Sequence, residues 1–167
     1  MENPLLTTER LELVPKTASD ARQMVEAMSP GDRAQLSADW LAHVYADGPV
    51  SLWYLGYSIR DRATAENIGH CGFKGPPDSS GRVELAYGLA AEFEGRGFAT
   101  EAARAAVSQA FRSEGVHAVR AHTLSQTNAS ARVLQKCGFH HCGEVTDPDD
   151  GLVQRWEILK APATAAG

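Results

Sequence analysis

The chain has 167 residues, 43% of them apolar and 22% charged, and carries a net charge of −5. These values fit a globular protein with a single core and count against a general nucleic-acid surface. No apolar run reaches the ~20 residues that span a bilayer, the N-terminus lacks the basic-then-apolar order of a signal peptide, and three cysteines (Cys71, Cys137, Cys142) that cannot all pair point to a reducing compartment such as the cytoplasm.

Leu11 to Val14 is predicted as a first strand. Ala21, Met24, Val25 and Met28 recur with helical spacing, and Thr17 or Ser19 is placed to cap that helix. Pro30-Gly31 breaks it. Leu36, Trp40, Leu41 and Val44 outline a second helix, ending near Asp47-Gly48-Pro49. Trp53 to Ile59 and Ile68 to Phe73 read as strands joined by a polar turn from Arg62 to Asn67. A second turn, Gly75 to Gly81, leads to a strand from Val83 to Leu89, where large apolar groups alternate. An alanine-rich helix and a strand from Ala118 to Leu124 follow. A short helix from Ala129 to Lys136 stops at Gly138, a natural left-handed cap. Phe139 to Val145 and Leu152 to Leu159 close the chain as a hairpin around Thr146 to Gly151.

The order β-α-α-β-β-β-α-β-α-β-β predicts three antiparallel strands joined by turns. It also predicts one parallel pair with a right-handed crossover, between Val83–Leu89 and Ala118–Leu124. The fold class is α/β (α+β), a mixed sheet of about seven strands covered by about four helices. Residues 1–160 form one domain and 161–167 a small-residue tail.

One stretch carries chemistry. Glu94-Gly95-Arg96-Gly97-Phe98-Ala99 joins the predicted strand at Val83–Leu89 to a helix whose face is Ala99, Ala102, Ala103, Ala106, Val107, Ala110 and Phe111. Two glycines let the backbone turn tightly and approach a ligand. The first amides of a helix have no internal partner, and with the positive end of the dipole they make an anion site suited to phosphate. The third glycine of a dinucleotide fingerprint is missing, and antiparallel strands before the turn fit that reading poorly.

Three segments, in order, resemble the GNAT superfamily of N-acetyltransferases, and within it the RimJ/RimL-like branch. Leu6-Thr7-Thr8-Glu9-Arg10-Leu11-Glu12-Leu13 is similar to the branch's opening strand. Glu94 to Ala102 is similar to its pyrophosphate turn, written Gln/Arg-x-x-Gly-x-Gly/Ala. Asn128-Ala129-Ser130-Ala131-Arg132-Val133-Leu134-Gln135-Lys136-Cys137-Gly138-Phe139 is similar to its C-terminal signature. Glu94 is read as standing where the pattern carries Gln or Arg. Thr127 occupies the usual asparagine position, with Asn128 one residue nearer the closing Gly-Phe.

The resemblance implies a GNAT fold, acetyl-CoA as co-substrate, no metal, and a primary amine as acceptor. It implies that Leu89, Glu94, Gly95, Arg96, Gly97, Phe98, Ala99, Thr100, Asn128, Ser130 and Arg132 surround the cofactor. The two strands flanking the turn are expected to splay and admit the pantetheine arm. Gly88 is expected to form a bulge that aims amides near Leu89 at the thioester oxygen. Glu84, on the strand leading to that point, is the candidate base, or else an exposed strand glutamate. Ser130 is the candidate proton donor to the leaving thiolate, or else a helix-start hydroxyl. An α-amine, with a pKa of roughly 7.7–8.0 against about 10.4 for lysine, needs the weaker base. A protein N-terminal amine is therefore the first acceptor, with a small-molecule amine such as an antibiotic, or a non-catalytic acyl-CoA-binding module, as alternatives. The chain is read as a monomer or homodimer.

Other features have plain readings. His70-Cys71 and His140-His141-Cys142 lack metal-ligand spacing. The cysteines have apolar neighbours and read as inert thiols. Tyr87 reads as core. Trp40, Tyr45 and Trp53 read as core or as walls of an acceptor cleft, and Asp147, Asp149 and Asp150 as a solvated turn.

Overall fold

The computed structural model describes residues 4–124, 128–148 and 151–161, with Asn128 described by its backbone alone. In chain order the elements are β1 (Leu6–Thr7), β2 (Leu11–Pro15), α1 (Ala18–Ala27), α2 (Pro30–Arg33), α3 (Ala38–Val44), α4 (Leu52–Leu55), β3 (Tyr57–Asp61), β4 (Asn67–Phe73), β5 (Arg82–Leu89), α5 (Phe98–Phe111), β6 (Ala118–Leu124), α6 (Asn128–Lys136), β7 (His140–Asp147) and β8 (Gly151–Leu159). The strands form one sheet of order β1-β2-β3-β4-β5-β6-β8-β7. All neighbours are antiparallel except β5 and β6, which run parallel as the strand–helix–strand order predicts.

The predicted seven strands and four helices become eight strands and six helices among the described residues. The additional strand, β1, is two residues long and pairs Leu6 with Leu13 and Thr7 with Glu12. Thr17, not Ser19, caps α1, in a capping box with Asp20. The chain breaks before Pro30-Gly31 as predicted, α1 stopping at Ala27, and Pro30 takes the first position of a separate one-turn helix, α2, where its missing N–H is not needed. The strand predicted from Trp53 to Ile59 begins only at Tyr57. Before it the Ser51 hydroxyl accepts from the Trp53 amide at 3.1 Å and starts the single turn of α4, which Gly56 closes at φ +66°. Gly138 has the left-handed conformation expected of it, at φ +93°.

The alanine stripe explains how α5 lies against the sheet. Ala102, Ala103, Ala106 and Ala110 are all fully buried, and without bulk between helix and strand the backbone settles close to the sheet, chiefly over β5 and also over β2 and β4. A smaller cluster of Ala21, Val44 and Leu55 holds α1, α3 and α4 together, with Trp40 packed on it and donating its indole N–H to the Tyr54 carbonyl at 2.7 Å. Trp53 packs edge-on against Phe73, so both tryptophans serve packing, while Tyr45 is exposed. Among the described residues no helix is long and apolar enough to cross a membrane.

Candidate active site

β5 runs through a short 3-10 turn, Ala91–Phe93, into the glycine turn and α5. Gly95 and Gly97 have φ of +76° and +82°, a region where an L side chain is strained. Gly97 is the N-cap of α5 and offers no side-chain cap, so the first amides of the helix keep their donors for something else.

The turn is held from outside. Arg10 donates from its guanidinium to the Arg96 carbonyl at 2.9 Å and to Glu101 Oε1 at 2.8 Å, and it lies over the Phe98 ring at 4.3 Å. Glu101 also accepts from the Arg10 amide at 2.8 Å and from the Thr8 hydroxyl. Partial burial pushes the Glu101 carboxyl up, but the hydrogen bonds from Thr8 and Arg10 outweigh it and hold the group below its ordinary value.

Beside the turn lies a cavity of about 510 Å³. Its walls come from β5 (Tyr87, Gly88, Leu89), from the turn and the start of α5 (Glu94, Gly95, Gly97, Ala99, Thr100) and from α6 (Ala129, Ser130, Arg132, Val133, Lys136). The β5 wall lies beyond the last rung that β5 shares with β6. Pairing between β5 and β6 consists of Arg82↔Ala118, Val83↔Val119 and Glu84↔Arg120, although both strands continue for several residues. The Lys74 amide bonds the Glu84 carbonyl and the Ala90 amide bonds the Ile68 carbonyl. Even-numbered residues of β5 therefore turn their backbone to β4, and the amides of Tyr87 and Leu89 face the gap. A larger groove of about 870 Å³ lies outside α5, between residues 5–10 and the helix. It touches Gly97, Thr100 and Lys136 but does not reach the splay, so the smaller cavity is the one that joins turn to gap.

Of the residues expected around a cofactor, Leu89, Glu94, Gly95, Gly97, Ala99, Thr100, Ser130 and Arg132 line this cavity. Phe98 does not: its ring is buried in the core. Arg96 stacks on Phe93 at 5.6 Å. Thr127 and the side chain of Asn128 lie outside the described residues. The spacing of the turn pattern itself corrects one assignment: counting three back from Gly95, its first position is Glu92, not Glu94. Tyr87, Gly88, Ala129, Val133 and Lys136 are additions. The Tyr87 hydroxyl donates to the Ser130 carbonyl at 3.5 Å, and burial pushes it up to about 12.

The bulge expected at Gly88 is absent. The β4–β5 register runs unbroken from Gly69↔Leu89 to Phe73↔Leu85; the slips in the sheet fall instead at Ile59/Arg60 and at His141/Gly143. Glycine is needed at 88 for another reason: a Cβ there would sit 2.8 Å from the His70 ring, which lies across it. The amides facing the gap therefore owe their direction to ordinary strand alternation.

Glu84 is not in the cavity. It points to the opposite face of β5 from Tyr87, at the rung where the two strands part. Its Oε2 is 2.8 Å from Lys74 Nζ and 3.2 Å from His122 Nδ1. Glu84 and Ser130, named together from the sequence, thus stand on two sides of the sheet. His122 was not singled out from the sequence. A signal exists: Arg82 and Glu84 alternate on β5, Arg120 and His122 alternate on β6, and parallel pairing puts both polar rows on one face.

Two of the three thiols are wholly or partly enclosed, as expected of inert cysteines, and the third is not. Burial pushes Cys71 up to about 12 and raises Cys137, whereas Cys142 is exposed on β7. Asp149 and Asp150 lie outside the described residues.

A family model described as an acetyltransferase (GNAT) domain matches residues 7–140. The uncharacterized N-acetyltransferase YoaA of Bacillus subtilis strain 168 is 29% identical over 154 residues, 84% of this chain and 85% of that protein. The uncharacterized N-acetyltransferase p20 of Bacillus licheniformis is 31% identical over 91 residues; that match takes in 54% of this chain and only 51% of p20. A solved RimL, a ribosomal L7/L12 alpha-N-protein acetyltransferase in complex with coenzyme A, superimposes with a TM-score of 0.69 at 16% identity, covering 93% of this chain and 98% of that one. The family model takes in the glycine turn, the splayed strands and the helix that follows the gap, and the chain belongs to the GNAT acetyltransferase family.

Proposed function

We propose that this chain moves an acetyl group from acetyl-CoA to a primary amine, with a protein N-terminal amine as the first acceptor, in the manner of the RimJ/RimL-like branch. The observation that carries the reading is the uncapped start of α5, whose free amides open into a cavity that continues to the splay. A diphosphate at Gly95–Ala99 fits that donor set, being anionic and rich in acceptors. The RimL complex, which shares the fold, holds coenzyme A.

In this reading the pantetheine arm occupies the gap, and the Tyr87 and Leu89 amides supply donors to the thioester oxygen. Arg132 and Lys136 offset the charge of the nucleotide end and of Glu94 in the cavity wall, while Glu92 is exposed outside it. The amine arrives from the Glu84 face. Glu84 takes its proton, directly or through a water; the nitrogen attacks the thioester carbonyl; the thiolate leaves and is protonated, with Ser130 as the donor. The bond formed is the amide and the bond broken is the thioester. The neutral α-amine fraction, on the order of a tenth at pH 7, suits so lightly armed a site.

The test is thiol release from acetyl-CoA with a panel of amines: peptides with free N-termini, polyamines and aminoglycosides. Turnover with peptides is expected. Turnover only with small amines would move the acceptor assignment. Stabilisation by CoA on heating without turnover on any amine would make the chain a binding module, and no stabilisation by CoA would sink the reading.

A further inference from the structure

We propose that His122 is a positioning residue that holds the Glu84 carboxylate in place at the apex of the splay. The inference rests on the reading of Glu84 as the group that takes the proton from the amine.

The last rung between β5 and β6 is Glu84↔Arg120. His122 is the next residue of β6 on that face, and its ring leans back across the rung to bring Nδ1 within 3.2 Å of Glu84 Oε2. The ring is mostly buried, with 12% of its side chain exposed. On its other side Arg155 of β8 donates from Nε to His122 Nε2 at 3.2 Å. A guanidinium can only donate, so Nε2 is the acceptor and the proton of the neutral ring belongs on Nδ1, facing the carboxylate. That assignment follows from the hydrogen-bond network. Nδ1 is buried and lacks an aligned hydrogen-bond partner; the Glu84 oxygen beside it is close but off line. A small turn of the Glu84 side chain satisfies a buried donor that is costly to leave open.

The surrounding charges leave this role to His122. Arg120 stands directly across from Glu84, yet its guanidinium reaches Glu157 of β8 at 3.5 Å. Arg82 on β5 is also committed to Glu157, at 2.9 Å. Lys74, beyond the end of β4, meets the same Oε2 of Glu84 at 2.8 Å, but its ammonium sits on a flexible stem that is 53% exposed. The imidazole is the rigid partner. It matters here because β5 loses its neighbour at this rung, and a proton acceptor must be fixed to within a fraction of an ångström.

Two variants and one spectrum test the inference on the full chain. His122→Leu removes the donor; His122→Asn returns an N–H near the place of Nδ1. Turnover should fall roughly tenfold to a hundredfold in the leucine variant and recover in the asparagine variant, with the KM for acetyl-CoA unchanged in both. Equal losses in both, or no loss with leucine, would overturn the proposal. Glu84→Gln separates the two ideas. If it leaves turnover and the pH–rate profile untouched, Glu84 is not the base and both fall. If it lowers turnover and His122→Leu does not, only the role of His122 falls. Independently of any acceptor, imidazole 15N and 1H spectra should show the His122 proton on Nδ1 in the wild type and keep it there in Glu84→Leu, where Arg155 still donates to Nε2, with the Nδ1–H proton moving upfield as its carboxylate neighbour is lost; a wild-type proton on Nε2, or an Nδ1–H that Glu84→Leu leaves unmoved, would overturn the proposal.

Discussion

Arg10 and Glu101 are 91 positions apart in the chain and meet at 2.8 Å, one at the entry to β2 and the other in the first turn of α5. Because Arg10 also grips the Arg96 carbonyl, the pair ties the opening strands to the glycine turn. Two segments that resemble the family separately are in fact one device: the first braces the second.

Arg10→Ala should therefore act on the turn as well as on stability. The Arg10 side chain is 42% exposed, so its ion pair is discounted for solvent screening. With the lost carbonyl bond and the lost contact to Phe98, a cost of roughly 1–2 kcal/mol is expected, a fall of a few degrees in Tm. CoA affinity should drop several-fold, as read by thermal shift against CoA concentration. A destabilised protein with unaltered affinity would separate the brace from the site.

Glu101 gives this brace a pH dependence of known sign. Its carboxyl in the folded protein titrates below the ordinary 4.5. The stabilisation is complete above about pH 4.5 and is lost as pH falls through the lower, folded-state value. Denaturant unfolding of wild type and Glu101→Gln should thus show a stability gap that is constant at neutral pH and narrows in acid. A gap that widened on acidification would contradict the network.

Gly97 is tested best by a pair of substitutions. Gly97→Ala places a Cβ at a left-handed position and 3.3 Å from the Arg10 guanidinium, costing on the order of 1–2 kcal/mol. Gly97→Glu adds bulk and negative charge at the mouth of the cavity. Both should lose similar stability, while only the glutamate variant abolishes CoA binding in calorimetry. Equal CoA affinities in the two would argue that no diphosphate sits there.

The cysteines offer a simple probe of packing. Cys142 is exposed and should react with a thiol reagent within minutes near pH 8. Cys71, buried and pushed up to about 12, should react only when the chain is unfolded. Rapid modification of Cys71 in the native protein, read by mass spectrometry of its peptide, would mean that the sheet opens at β4.

Regular, long or strongly patterned parts were legible from residues alone. The alanine stripe of α5 has a period that only a helix satisfies, and Gly138 sits where a helix must stop. Short elements were not. Leu52-Trp53-Tyr54-Leu55 is an apolar run with no period, and its conformation is decided by a serine hydroxyl before it and a glycine after it. The two residues of β1 carry no pattern at all. At the site, the glycine turn was visible because its glycines are needed locally. The cluster around Glu84 was not, since Lys74, His122 and Arg155 come from three other segments and meet only through strand register. Gly88 misled for a related reason: a strand glycine marks a close approach as readily as a bulge, and here the approaching group is the His70 ring.

Among the described residues, three rungs are all the strand pairing that sews the first five strands to the last three. A seam so narrow leaves the Tyr87 and Leu89 amides outside any ladder, ready to trade hydrogen for deuterium while the β2–β4 amides stay shielded. Whatever fills the gap must slow that trade, so the isotope uptake of two peptide groups becomes a built-in gauge of occupancy that needs no knowledge of the acceptor.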